Sequence, residues 1–209
     1  MAKDLNPKCK QCRRAGEKLL LKGERCNTPK CAIVKRNFPP GFHGSKGKKR
    51  MTDYGLQLAE KQKAKRQYNL TEKQFTIFFE RARRRQGNLG ENFLKLLEMR
   101  LDNVIYRLGL ASSRNQARQF VGHGLFSVNE RMVNIPSYIV RAGEVIKIKS
   151  NKKEAKVFSA LSEKLKNFNA PGWLSLKKDT LEAKIIEAPK MDMIRPNFNI
   201  QMIVEYYSR

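Results

Sequence analysis

Acidic residues are scarce in this sequence, and the scarcity limits the partners that the protein can have. The 209 residues include 19 Asp and Glu against 44 Lys and Arg, which gives a formal net charge of +25 at pH 7. A compact domain with this charge repels itself unless a polyanion neutralises it. We therefore predict a nucleic-acid partner. Residues 1–90 carry a net charge of +17 and residues 91–209 carry +8, so the main contact is expected in the first half.

Long apolar runs are also missing, which argues against a membrane partner. No apolar run reaches about 18 residues, the length that a membrane span needs. The single tryptophan, Trp173, lies outside the basic region, whereas membrane-surface helices carry Trp, Phe and Leu on one face. The first residues show neither an apolar secretory segment nor an Arg- and Ser-rich transit sequence, so we expect a cytoplasmic protein. The apolar fraction of 40% predicts folded domains rather than disorder.

The four cysteines lie within the first 31 residues, at Cys9, Cys12, Cys26 and Cys31. Their C-x2-C and C-x4-C spacing is typical of two tight turns that each offer two thiolates to one tetrahedral zinc ion. We predict a structural metal site that holds Zn2+. An iron–sulfur cluster on the same four ligands remains an alternative. A disulfide framework fits a secreted protein, and a redox Cys-x-x-Cys motif needs no second pair, so both are less favoured alternatives.

Basic residues surround the cysteines and continue into an unusual segment over residues 35–50. Two adjacent prolines and three glycines argue against a regular helix there. Phe38, Phe42 and His43 stand among the cations, and such aromatic rings suit stacking on bases. A passive linker is the alternative, and we favour an arm that becomes ordered on RNA. The RNA-binding residues predicted up to the end of this arm are Lys8, Lys10, Arg13, Arg14, Lys22, Arg25, Lys35, Arg36, Phe42, His43, Lys46, Lys48, Lys49 and Arg50.

Residues 53–108 show the apolar periodicity of helices. The pattern predicts a helix from residue 53 to about 68, a second that opens with a capping box at Thr71 and Gln74, and a third from residue 91 to about 108. The second helix is expected to bury an apolar stripe formed by Phe75, Phe78, Phe79 and Ala82. The first helix contributes four further predicted RNA-binding residues, Lys61, Lys63, Lys65 and Arg66.

The next stretch predicts a short helix on a small antiparallel sheet. A Ser-x-x-Gln cap at Ser113 opens the helix. Arg114 and Arg118 are predicted to share its outer face near a helix start that favours anions, and with His123 they complete the predicted RNA-binding set. Alternation predicts strands over residues 126–128, 132–133 and 145–149. Towards the C terminus we expect a short helix over residues 180–186 and a strand over residues 200–204.

These residues resemble the S4-type RNA-binding domain. The resemblance lies in Ser113-Arg114, Ala117-Arg118, Gly124, Val128-Asn129, Val133 and Gly143-Glu144-Val145-Ile146. The flanks resemble the family of small-subunit ribosomal protein S4 over residues 39–44, 54–58, 60–63, 96–109 and 203–209, and the cysteines resemble its metal-bearing bacterial branch. Small departures occur at Phe42, Glu130 and Glu144, where the family often has Gln, Gly and Asp. Glu130 weakens any phosphate contact at that turn.

The resemblance implies an α+β fold in three parts. We expect a metal-binding N-terminal segment with its basic arm over residues 1–45. A mainly helical rRNA-binding domain follows, built from residues 46–95 and 176–209. Residues 96–175 are expected to form an S4-type RNA-binding domain of helices and a short antiparallel sheet.

The resemblance also implies a structural protein of the small ribosomal subunit rather than an enzyme. It implies a primary binder of 16S rRNA that nucleates assembly of the 5′ domain and contributes to translational accuracy. The implied neighbours are the fifth small-subunit ribosomal protein and, near the mRNA entry channel, the third. Binding to mRNA is left open.

Two alternatives carry the same module, an RNA-modifying enzyme and a zinc-ribbon regulator. The 59 residues after residue 150 contain no nucleotide-binding Gly-rich loop, and the only histidines are His43 and His123. The chain therefore offers few residues for general acid–base catalysis, which disfavours the enzyme. A regulator would prefer duplex DNA to a folded rRNA junction.

Overall fold

The computed structural model describes residues 4–47, 50–149, 165, 168–178, 180–194 and 196–209. The chain forms two compact units, one of Met1–Phe93 with Pro196–Arg209 and one of Leu94–Arg195. Within the described residues the first unit is helical, and the second packs helices on an antiparallel sheet. The predicted α+β class is confirmed. None of the described helices combines the length and the apolar character that crossing a membrane requires.

The described α-helices vary widely in length. They are α1 Lys8–Ala15, α2 Ala32–Lys35, α3 Asp53–Gln67, α4 Glu72–Arg83, α5 Leu89–Glu98, α6 Leu101–Arg107, α7 Arg114–Gly122 and α8 Ile200–Tyr207. Short 3-10 helices lie at Gly23–Asn27, Gly44–Lys46 and Met191–Met193.

Helix α4 forms as the sequence predicts. The N–H of Gln74 donates to Thr71 Oγ1 at 3.4 Å, and the N–H of Thr71 donates to Gln74 Oε1 at 3.2 Å, so the capping box is complete. The predicted apolar stripe is buried, which confirms it as core. Phe75 and Phe79 stack on Tyr207 of α8, with ring centroids 6.3 and 4.5 Å apart.

The strand predicted over residues 200–204 is wrong, because this segment is helix α8. Asn199 caps it by accepting from the N–H of Met202 at 3.4 Å. The buried residues are Ile200 and Ile203, one helical turn apart, and α8 packs on α3. In so short a segment, apolar residues that alternate as in a strand also form the buried face of a helix, so the pattern did not distinguish the two.

The third helix was predicted to run without a break to about residue 108, and this continuity is also wrong. It breaks between α5 and α6 at Arg100, whose extended backbone forms a β-bridge with Ile139. The N–H groups of Leu101 and Asp102 donate to the carbonyls of Tyr138 and Pro136, at 2.8 and 3.2 Å. A distant loop thus satisfies donors at the start of α6, and this allows a new helix to begin.

In the described part of the second unit, five strands form one antiparallel sheet. They are β1 Phe126–Val128, β2 Arg131–Met132, β3 Val145–Ile148, β4 Leu174–Lys177 and β5 Glu182–Ile185, in the order β2-β1-β3-β5-β4. The strands predicted at β1 and β3 are confirmed, and β2 begins one residue earlier than predicted. The helix predicted over residues 180–186 is wrong, because β5 pairs with β3 and β4 and buries Ala183 and Ile185 in strand alternation.

The sheet shares its core with α6 and α7. The largest buried side chain is Trp173, which is 1% exposed and precedes β4. Phe126 and Ile146 from the sheet join Val104 and Ala117 from the helices in the same cluster. Complete burial of such side chains is worth roughly 1.5–3 kcal/mol for each large one, which holds the sheet against the helices.

Candidate nucleic-acid interface

A strongly basic groove lies in the first unit, between α1, the 3-10 helix Gly23–Asn27 and α2. We call it the basic groove. Its volume is about 390 Å3, and it is lined by Cys9, Lys10, Arg13, Arg25, Lys30, Ala32, Lys35 and Arg36. Six of these eight residues are cationic and none is acidic. Five of the predicted RNA-binding residues are therefore brought together here. Unopposed cations in a concave surface focus a positive potential that attracts a polyanion.

Two hydrogen bonds to the arm hold the Arg13 side chain in the basic groove. Its Nε donates to the carbonyl of Phe38 at 2.9 Å and its Nη2 to the carbonyl of Pro39 at 3.1 Å. The guanidinium also lies 4.8 Å from the centroid of the Phe38 ring. Arg13 forms no ion pair with a described residue, so its positive charge stays available to a phosphate.

The arm that follows presents aromatic rings to solvent. Phe42 is 90% exposed, and its ring meets that of His43 edge-on with centroids 5.1 Å apart. Gly44 is tightly packed, because an added Cβ would lie 1.9 Å from the carbonyl oxygen of Pro39. The described part of the arm is thus folded against itself, with an exposed aromatic pair at its tip that suits base stacking.

The predicted lysines of α3 are engaged within the protein. Lys61 is 4% exposed and donates to Glu72 at 2.7 Å. Lys63 is 8% exposed and pairs with Glu17 at 2.9 Å and Glu60 at 3.2 Å. These contacts tie α3 to the cysteine-bearing segment and to α4. The role of these lysines in RNA binding stays a prediction.

Arg114 and Arg118 do not face solvent, so the predicted outer face is wrong. They are 8% and 6% exposed. Arg114 Nε donates to Asn103 Oδ1 at 2.7 Å, and Arg118 Nη1 lies 3.9 Å from Asp102 Oδ2. Burial lowers the pKa of Arg118, and the charge of Asp102 opposes that change. The polar face of α6 packs towards α7. The residue pattern of α7 by itself does not predict this, because it says nothing about the helix that packs on it. Their RNA-binding role is untested and stays a prediction.

A buried polar cluster around these arginines was missed by the sequence reasoning. Glu98 is fully buried and accepts from Asn103 Nδ2 at 2.8 Å and from Arg107 Nε at 2.9 Å. Arg100 makes a two-point contact with Asp102 at 3.0 and 2.6 Å. The available signal was the run of polar residues that interrupts the apolar rhythm between residues 98 and 107.

The other predicted RNA-binding residues are scattered over the surface. Lys8 donates to the backbone carbonyl of Asp4 at 2.6 Å, and half-buried Lys65 pairs with Glu72 at 2.7 Å. Arg14 and Arg66 line a second cleft of the first unit. Exposed positions are Lys22, Lys46, Arg50 and His123. Lys48 and Lys49 lie outside the described residues.

The four cysteines gather in the first unit as free thiols. Cys12, Cys26 and Cys31 are buried, and Cys9 is half-buried. Burial raises the pKa of Cys12, and the charges of the other three cysteines add to the rise. Two backbone N–H groups point at sulfur: Lys22 donates to Cys26 Sγ at 3.3 Å, and Leu19 donates to Cys12.

The donor chemistry suits zinc, since thiolates are its preferred soft ligands and N–H groups near sulfur stabilise them. Across the described ranges, however, no three or more Cys, His, Asp or Glu side chains are arranged so that they could hold a metal ion. The metal site therefore stays a prediction.

The helical first unit with its basic groove, followed by a sheet-containing unit, defines a protein built to bind nucleic acid. Residues 3–98 match the ribosomal protein S4/S9 N-terminal domain, and residues 99–146 match the S4 domain. The chain is 51% identical to small ribosomal subunit protein uS4 of Pelotomaculum thermopropionicum and of Halothermothrix orenii, over 209 residues and all of both chains. It is 49% identical to the protein of that name in Clostridioides difficile, also over all of both chains. The chain belongs to the ribosomal protein S4 family.

Proposed function

We propose that this small-subunit ribosomal protein is a primary binder of 16S rRNA that nucleates assembly of the 5′ domain. The basic groove carries the proposal, because six cations line it without one acidic residue. An RNA backbone threaded along the groove would release its condensed counterions, which favours binding and makes it sensitive to salt. Family membership along the whole chain favours a structural role over the alternatives of an RNA-modifying enzyme or a zinc-ribbon regulator.

Binding across a range of salt concentrations tests this role of the groove. Full-length protein is titrated with transcribed 16S 5′-domain RNA, and Arg13→Ala combined with Arg25→Ala is compared with the wild type. We expect the slope of log affinity against log salt to flatten by up to about two units, one for each lost phosphate contact. The control is Lys190→Ala in the second unit, whose exposed side chain lies 3.6 Å from Glu187.

Equal salt slopes for the groove variant and the wild type would overturn this use of the groove. A wild-type protein that binds the 5′-domain RNA no better than an unrelated RNA of equal length would overturn the rRNA proposal itself. Preference for duplex DNA would favour the regulator.

We also propose that Cys9, Cys12, Cys26 and Cys31 hold one structural Zn2+. The two-pair spacing, the burial of three thiols and the N–H groups directed at sulfur support this. A bound zinc ion would supply a crosslink between α1 and the start of α2. An iron–sulfur cluster is the alternative, and elemental analysis with the visible absorption spectrum of anaerobically purified protein distinguishes the two.

The proposed neighbours are the fifth and third small-subunit ribosomal proteins, with a position near the mRNA entry channel and a contribution to translational accuracy. This part of the proposal rests on the family resemblance. Crosslinking within assembled small subunits, followed by identification of the crosslinked peptides, tests it. Crosslinks to neither protein would contradict it.

A further inference from the structure

The tip of the basic arm presents a phenylalanine to solvent. Among the described residues, Phe42 is the most exposed of the large apolar side chains, at 90%. Phe75, Phe79 and Phe93, by contrast, are at most 2% exposed. Exposure alone does not identify a partner, because single apolar side chains are common on protein surfaces. The backbone, the open ring face and the charges around Phe42 supply the further evidence.

The backbone that carries Phe42 forms a closed turn. The N–H of Gly44 donates to the carbonyl of Gly41 at 3.1 Å, so Phe42 and His43 occupy the two central positions of a β-turn. His43 has φ −88° and ψ 1°, which are typical of the second central position in a type I turn. The N–H of Lys46 donates to the carbonyl of His43 at 3.1 Å, so a 3-10 helix follows the turn directly.

The residues before the turn attach it to α1. Arg13 of α1 donates to the carbonyls of Phe38 and Pro39, at 2.9 and 3.1 Å. Gly44 packs so closely on Pro39 that an added Cβ would lie 1.9 Å from the carbonyl oxygen. The backbone beneath Phe42 is therefore ordered before a partner binds, which lowers the entropy cost of binding.

The ring of Phe42 keeps one face open. It lies perpendicular to the ring of His43, with centroids 5.1 Å apart and planes at 87°. A perpendicular neighbour covers no more than one face of a ring. Because 90% of the side chain is exposed, the other face is available to a flat partner.

The charge of the arm indicates which flat partner fits. Residues 35–50 contain six Lys and Arg and no Asp or Glu. Such a surface repels another basic protein, including a second copy of this chain with its net charge of +25. Nucleic acid suits both features, since its phosphates attract the cations and its bases offer flat faces. A base inside a duplex is already stacked on both sides, so the ring needs an unpaired base.

We propose that Phe42 stacks on one unpaired base of the bound RNA and makes the protein favour a junction over a continuous duplex. The inference rests on the proposed RNA-binding function and adds a contact that distinguishes unpaired from paired RNA. The basic groove would contact phosphates in either kind of RNA, whereas Phe42 would contribute only where a base is unpaired.

A series of substitutions at residue 42 tests the proposal. Full-length wild type, Phe42→Ala, Phe42→Leu and Phe42→Trp are each titrated with the 16S 5′-domain RNA and with a continuous RNA duplex of equal length. On the 5′-domain RNA we expect Phe42→Ala to weaken binding about five- to hundredfold, as for one lost base stack, with an unchanged salt slope. Phe42→Leu should recover little of this loss because it lacks a ring, and Phe42→Trp should bind at least as tightly as the wild type. All four proteins should bind the duplex equally.

Two control variants separate the ring from its surroundings. Ile77→Ala removes another exposed apolar side chain, 42% exposed on α4, and should bind as the wild type does. Lys46→Ala removes a neighbouring cation and should flatten the salt slope on both RNAs. Thermal midpoints should agree for all variants, because the substituted side chains are exposed.

Ultraviolet crosslinking to the 5′-domain RNA identifies the stacked base. We expect the tryptic peptide of residues 37–46 to carry a crosslinked nucleotide in the wild type, and the matching peptide of Phe42→Leu to carry none. Mapping the nucleotide should place it in an unpaired position of the RNA. A crosslink that persists in Phe42→Leu would overturn the assignment to Phe42.

The outcomes distinguish this inference from the proposed function. Equal affinities of folded wild type and Phe42→Ala would overturn the stacking proposal alone. Phe42→Leu as tight as the wild type, with Phe42→Ala weakened, would show an apolar contact that needs no ring and would overturn it too. An equal loss on the duplex would overturn the preference for an unpaired base. Failure of the wild type to bind the 5′-domain RNA would overturn the proposed function itself.

Discussion

The guanidinium of Arg114 lies over the ring of Tyr106, 4.5 Å from its centroid, while its Nε donates to Asn103 Oδ1 at 2.7 Å. Asn103 in turn donates to Glu98, which also binds Arg107. Helix α7 is thus joined to α6 by a continuous polar network inside an otherwise apolar unit. Such a network specifies one arrangement of the two helices, because each buried group needs its own partner.

Asp102→Ala tests the importance of the buried pair with Arg100. Both side chains are at most 5% exposed, so removing the carboxylate takes away a two-point contact that water cannot replace. We expect a loss of about 3–5 kcal/mol in the free energy of unfolding of the second unit. Urea unfolding followed by the fluorescence of Trp173, the single tryptophan, measures this unit selectively.

Glu187→Ala serves as the control for this prediction, because its pair with Lys190 is exposed. It should change stability by less than about 1 kcal/mol. Equal effects of the two variants would contradict the account of the buried network.

Arg114→Ala combined with Arg118→Ala should lower the stability of the second unit and not only its affinity for RNA. Each change leaves buried polar partners unsatisfied, at a cost of about 1–3 kcal/mol per group. The midpoint of Trp173 fluorescence in urea should therefore fall, and RNA binding should be compared at temperatures where the variant is folded. A variant as stable as the wild type would show that these side chains face solvent after all.

Local chemistry explains which structural features were predictable from the sequence. The capping box of Thr71 and Gln74 and the phenylalanine stripe of α4 depend on neighbours within one helix, so the pattern was sufficient. Strand β5 was mistaken for a helix because its identity depends on pairing with β3, nearly forty residues earlier, where Val145 lies opposite Lys184. The break at Arg100 likewise depends on carbonyls of a distant loop.

The same distinction applies to the candidate site. Charge counting placed the RNA-binding surface in the first half of the chain, and the basic groove lies there. The burial of Arg114 could not be predicted, because a helix period does not say whether the neighbouring helix is polar or apolar. The partner acceptors, Asp102 and Asn103, are buried residues of the neighbouring helix α6.

Cys12→Ser is expected to abolish metal binding and to loosen only the first unit. The segment between α1 and α2 has little core of its own, so a lost thiolate should unfold it locally. Elemental analysis should find zinc in the wild type and none in the variant, while Trp173 fluorescence stays unchanged. Absence of both zinc and iron from wild-type protein purified under reducing conditions would refute the metal site.

Lowering the pH should weaken the contact between α3 and α4, because protonation removes the charge with which Glu72 binds Lys61 and Lys65. Burial by itself raises the pKa of Glu72, but hydrogen bonds from Lys61 and Lys65 and their charges outweigh it and hold the pKa below its ordinary value of 4.5. Because the folded-state pKa is depressed, the stabilisation is present above pH 4.5 and is lost as the pH falls through the folded value. Glu72→Gln should be less stable at neutral pH and should show a shallower loss below 4.5.

Urea unfolding followed by far-ultraviolet circular dichroism across that acid range measures the difference. Glu80→Gln, an exposed change on the same helix, is the control and should follow the wild-type curve. Parallel curves for Glu72→Gln and the wild type would rule out this linkage.

Gly44→Ala should weaken RNA binding by disturbing the arm while leaving both units folded. The added Cβ would lie 1.9 Å from the carbonyl oxygen of Pro39, so this backbone must move. The same carbonyl accepts the Nη2 hydrogen bond of Arg13, so the guanidinium in the basic groove loses one of its two anchors. We expect affinity for the 5′-domain RNA to fall about two- to tenfold, the worth of one hydrogen bond, with the thermal midpoint nearly unchanged. Gly122→Ala, where no atom lies within 4 Å of the added Cβ, is the control and should bind as the wild type does. If Gly44→Ala binds RNA as tightly as Gly122→Ala, the hold of the arm on Arg13 does not contribute to recognition.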